Sequence, residues 1–130
     1  MKNAQLKSSE ARKDDFLKLA ETSFLLMQRL WDAGDMAEIR KLVSTRLLSK
    51  LESDLIARGD RSNHTEVTQL NLKLASDFDD EVGSVVSVKF WGEMREEIDA
   101  AAERFEDIWH FFRVNDCENS WRIDDIRIVV

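Results

Sequence analysis

The chain predicts an α+β domain in which three helices precede four antiparallel strands and cover one face of their sheet. Three observations carry this. Phe16 to Val43 holds a long apolar stripe at three- and four-residue steps, broken at Gly34-Asp35. Beyond Asn63 the apolar period changes to two. A block of helices followed by a block of strands, rather than alternation, segregates the helices to one side of an antiparallel sheet.

Residues 1–13, MKNAQLKSSEARK, are basic and polar and read as a poorly ordered or loosely helical lead, leaving 14–130 as one domain. Asp14 or Asp15 is placed to cap the first helix, where a carboxylate accepts from free amides of the first turn. Phe16, Leu19, Ala20, Ser23, Phe24, Met27, Leu30 and Trp31 then share a face. Leu25 and Leu26 widen that face, which predicts a helix wrapped on more than one side. Gly34 suits the left-handed position that ends a helix. Asp35 with Glu38 makes a capping-box-like restart, and Met36, Ile39, Leu42 and Val43 give a short second helix its apolar face. Ser44 caps a third helix running to about Arg58, with Leu47, Leu48, Leu51, Leu55 and Ile56 facing inward. Gly59 stops it before the loop DRSNH.

From about Thr65, Leu70, Leu72 and Leu74 alternate with Gln69, Asn71 and Lys73, as in a strand with one wet face. Asp77 to Glu81 reads as an acidic turn. Val82, Val86, Val88 and Phe90 mark a second strand to about Trp91, and GEMREEIDAAA (92–102) reads either as a mobile connection or as one that holds a turn of helix. Phe105, Ile108, Trp109, Phe111, Phe112 and Val114 are so continuously apolar that they predict a central strand buried on both sides. Asn115 to Ser120 is a turn cluster, and Trp121, Ile123, Ile126, Ile128 and Val129 make the last strand.

At 130 residues, 43% hydrophobic and 35% charged, the chain is the size and composition of one globular domain. A net charge of -7 argues against nucleic acid as a partner, because no positive field is present to attract phosphate. The single cysteine, Cys117, permits no internal disulfide. The first residues lack the apolar core of a secretory signal. No run approaches the ~18 apolar residues of a membrane span.

Candidate chemistry is sparse. His64 and His110 stand in no metal-ligand spacing with each other or with Cys117, so the reading includes no metal and no cofactor. His64 reads as a loop residue. His110 shares strand parity with Ile108 and Phe112 and is either a core histidine on a covered face or a base. Of the neighbours Glu106 and Asp107, one must face the helices. A carboxyl there is desolvated, and serves either as a general base or as half of a salt bridge to Arg104, Arg113 or Arg122. Phe24, Met27, Trp31, Trp91, Trp109 and Phe111 either pack the core or line a cavity for an acyl chain or a partner peptide.

Leu30-Trp31-Asp32-Ala33-Gly34-Asp35 with Ile39-Arg40, then Phe105-Glu106-Asp107-Ile108-Trp109, and Trp121 near the end occur in an order that resembles a bacterial member of a known family. It is the family of domains related to mitochondrial import inner membrane translocase subunit 44, the Tim44-like family, and the likeness covers about residues 14–128. The resemblance implies a nuclear-transport-factor-2-like (cystatin-like) cone, with helices closing over a curved sheet to leave a cavity. It implies inner-membrane association, the cytoplasmic side being favoured, and a non-enzymatic scaffold tied to protein translocation or membrane-protein assembly. A protein partner is implied, with lipid or an acyl chain as a further ligand and a homo-dimer through the sheet as a further association. Bacterial members carry a membrane segment and linker before the domain. This sequence has neither, so it reads as an excised domain or a naturally short member. Its acidity departs from what anionic headgroups favour. The alternative is a small enzyme of the same fold, an isomerase or dehydratase using Glu106, Asp107 and His110 on a hydrophobic substrate.

Overall fold

A computed structural model describes residues 2–59, 64–97, 99–114 and 121–129. The expected loop at 60–63, the turn at 115–120 and Cys117 lie outside them. Three helices, α1 (Lys2–Ala33), α2 (Met36–Ile39) and α3 (Thr45–Arg58), precede β1 (Glu66–Asp79), β2 (Gly83–Arg95), β3 (Glu103–Val114) and β4 (Arg122–Ile128). The strands form one antiparallel meander in the order β1-β2-β3-β4.

Helix α1 begins at Lys2, so Asp14 and Asp15 lie inside it rather than at its start. The lead is rich in Ala, Leu, Gln, Glu, Lys and Arg, which favour helix, and it contains no Gly or Pro to stop propagation. The break at its end follows the sequence reading. Gly34, at φ 67°, donates to the Trp31 carbonyl and Asp35 to the Leu30 carbonyl, the paired bonds of a Schellman ending. The Asp35 carboxylate then accepts from the Glu38 amide at 3.2 Å and starts α2. Ser44 likewise caps α3, its hydroxyl accepting from Leu47 N. Between these two helices the chain touches the sheet at a parallel bridge from Val43 to Ile123, with Ser44 N and Ile123 N donating to the Ile123 and Leu42 carbonyls.

One sheet face carries Val86, Val88 and Phe90 of β2 and Phe105, Trp109 and Phe111 of β3, all buried against α1 and α3. Phe24 is the hub of this core. Its ring stacks on Phe90 at 4.6 Å and Phe105 at 5.6 Å and lies 5.0 Å from Trp109. At the other end Phe16 packs edge-on against Phe111 and Trp121.

Five further expectations need correction. Strand β3 is fully buried on one face only; Glu106, Ile108, His110 and Phe112 alternate with the core residues and are half-buried. Its apolar excess reflects packing among side chains of neighbouring strands, not a second covering layer. Helix α1 is covered on one side, with Leu19 38% and Leu25 40% exposed, and Ile56 of α3 is 80% exposed rather than inward. Strand β1 runs on to Asp79, and the turn tightens at Asp80, whose carboxylate accepts from Val82 N and Gly83 N. Strand β2 continues past Trp91 to Arg95, because Gly92 lets it bend rather than end.

Candidate functional site

The bend at Gly92 shapes the open end of the fold. Gly92 has φ 154°, and its backbone lies so close to β1 that a Cβ there would fall 2.0 Å from the Gln69 carbonyl oxygen. Beside it the β1–β2 register shifts between Val67 and Gln69, the mark of a bulge that increases local twist. Beyond the bend, Met94 and the segment bearing Glu96 and Glu97 reach toward α3, and a cavity of about 580 Å³ is left between them.

Its apolar wall comes from Met27 and Trp31 of α1, Leu47 and Leu51 of α3, Phe105 and Trp109 of β3, and Ile126 of β4. Lys50 and Asp54 stand on α3, one turn apart on the cavity side, and Glu103 and Arg104 enter from the start of β3. Among the described residues the charged lining holds two cations, Lys50 and Arg104, and five carboxylates: Asp54, Glu96, Glu97, Glu103 and Asp107.

Asp107 is 9% exposed, and Trp109 Nε1 donates to its Oδ2 at 3.2 Å. Burial raises its carboxyl above the ordinary value, since the charged form loses hydration, and the indole bond opposes that rise only in part. Three further hydrogen bonds brace the entrance. Asp32 accepts from Thr65 N at 2.6 Å and Thr65 Oγ1 at 2.8 Å, tying the end of α1 to the approach to β1. Arg58 donates to the Trp31 carbonyl at 2.7 Å while its guanidinium lies over the Trp31 ring.

The residues named from sequence separate into three groups. Met27, Trp31, Trp109 and Asp107 line the cavity. Phe24 and Phe111 are buried in the core and do not reach it. Trp91, Glu106 and His110 lie on the opposite sheet face, because β-strand parity puts them out of phase with Asp107 and Trp109. There Glu106 pairs with Lys89 at 2.8 Å, Lys89 also approaches the Trp91 ring, and His110 Nδ1 shares a 2.6 Å hydrogen bond with the Ser87 hydroxyl. Neither Glu106 nor His110 is buried, and neither faces Asp107 across the cavity. The salt bridge weighed for the inward carboxyl is absent at Asp107 among the described residues. Met94 was missed because the strand was ended early at Trp91. Leu47 and Leu51 were visible as an inward stripe, but nothing local marks them as lining rather than core.

A family model described as Tim44-like domain matches residues 4–128. No curated protein matches the sequence. Among solved structures, the intermembrane space region of the chloroplast protein ARC6 aligns with a TM-score of 0.54 at 11% identity, over 87% of this chain and 95% of that one. At such identity the likeness shows the fold alone, and it agrees with three helices on one face of a four-stranded sheet.

Proposed function

Because this chain belongs to the Tim44-like domain family, whose members have a nuclear-transport-factor-2-like fold, we propose that it is a non-enzymatic binding domain working at an inner membrane. It holds a partner protein in the cavity between α1, α3 and the sheet. The cavity carries this reading. At about 580 Å³ it is in the range of ligand sites, its wall is apolar and aromatic, and its mouth is charged. Among the described residues, five carboxylates against two cations disfavour an anionic lipid headgroup or a fatty-acid carboxylate and favour a peptide. Among the described residues the hydrogen-bond partner of Asp107 is an indole, not a base or a hydroxyl, which lends no support to proton-transfer chemistry. No helix among the described residues is long and apolar enough to cross a membrane.

A photo-crosslinking residue at Lys50 on the rim, and another at Lys73 on the opposite sheet face, test the reading in cells. A discrete protein adduct from position 50, lost when Leu51→Trp fills the cavity and weak from position 73, is expected. Adducts from position 73 alone would place binding on the sheet instead. Sedimentation with vesicles that depends on anionic lipid, without any partner, would assign the cavity to lipid.

A further inference from the structure

We propose that the cavity receives a lysine or arginine side chain of the partner, its apolar stem against the lining and its cationic head on Asp107. This rests on the reading of the cavity as a protein-binding site and specifies what enters it. Three observations converge. First, Asp107 is nine-tenths buried at the cavity and accepts one hydrogen bond, on Oδ2 from Trp109 Nε1. A carboxylate has capacity for several more. No cation of the described residues pairs with it, whereas Glu106 and Asp124 on the sheet have Lys89 and Arg46 at 2.8 and 3.0 Å. A buried carboxylate without a countercharge is costly, and an incoming cation relieves that cost.

Second, the other charged groups facing the cavity are Lys50 and Asp54 from α3, Glu96 and Glu97 after β2, and Glu103 and Arg104 from β3. Among the described residues, helix α1 and strand β4 contribute no charge to the lining. The balance attracts a cation and steers it inward. Third, Trp31 stands in the wall, and its ring, which already draws the Arg58 guanidinium, is the kind of aromatic surface that attracts ammonium and guanidinium groups. An apolar wall with a carboxylate at depth matches an aliphatic stem ending in a cation. It does not match a fatty acid, which reverses the charge.

The test follows the Trp109 indole N–H by NMR while titrating n-butylammonium, its neutral isostere n-butanol, and pentanoate, which carries the same butyl stem. Butylammonium is expected to shift that resonance saturably and to bind about tenfold more tightly than butanol, the scale of a hydrogen bond to a charged group. Pentanoate should bind most weakly. In Asp107→Asn the preference for the cation should fall to about twofold or less. N-acetyl-lysine-N-methylamide, which carries the backbone of a protein lysine, should bind at least as tightly as butylammonium. If only the free amine binds, a protein side chain is not the ligand. Equal binding of pentanoate and butylammonium, or an Asp107→Asn chain that keeps the full preference, overturns the inference. The three-probe comparison on the unaltered chain decides the matter even if the variant does not fold. Crosslinks from position 50 that survive Asp107→Asn would refute the cation and leave the protein-binding reading standing.

Discussion

Replacing Gly92 by alanine should destabilise the domain far more than the same change at Gly34, although both residues have positive φ. At Gly34 an added Cβ would meet Arg58 and Leu55 side chains at 3.4 and 3.8 Å, ordinary contact. Only the left-handed conformation then opposes the change, costing about 1 kcal/mol. At Gly92 the φ of 154° lies in a region that side chains scarcely adopt. The new Cβ would also fall 2.0 Å from Gln69 O, 2.7 Å from Gln69 C and 3.3 Å from Leu70 Cα, all backbone of the paired strand. Backbone cannot rotate aside as a side chain does. The strands must separate by roughly 1.5 Å to restore contacts near 3.5 Å, weakening the ladder between Leu70 and Gly92. Strain and lost pairing together come to about 4 kcal/mol. Urea unfolding followed by the fluorescence of the four tryptophans measures both variants. Losses of similar size, or a Gly92→Ala chain within about 1 kcal/mol of the original, would refute the close approach of β2 to β1 and the bend built on it.

Other substitutions test the packing and the site. Phe24→Ala should cost about 4 kcal/mol, while Leu25→Ala, one residue away on the 40%-exposed side, should cost about 1 kcal/mol or less; equal costs would mean that α1 buries a different face. Asp32→Ala leaves Thr65 N and Oγ1 without their partner and should cost about 2 kcal/mol, with faster amide exchange at Thr65 as the local signature. Asp107→Asn should stabilise the domain at neutral pH. The raised Asp107 value means the wild-type contribution is fully present below the ordinary aspartate value of 3.8 and is lost as pH rises through the folded-state value. The urea-midpoint gap between the variant and the original should therefore widen from pH 3 to pH 7 in favour of Asn, and a gap independent of pH would contradict a desolvated carboxyl.

The sequence by itself determined the element order, the class of fold and the punctuation. Gly34, Asp35 and Ser44 act through groups at most five residues away, so their chemistry is complete in the local string. The alternation of β1, and the requirement that one of Glu106 and Asp107 face the helices, follow equally from period and parity. Tertiary structure decided which of the two turns inward, because strand phase is fixed by pairing Trp109 with Val88 and Ile126 across the sheet. It also decided which apolar residues are core and which are cavity wall. Phe24 and Met27 share a helix face, yet one meets three rings and the other borders open space. That difference depends on where β2 bends, and the bend depends on an approach between Gly92 and Gln69, residues 23 positions apart in the chain. No local pattern encodes a distance of that kind.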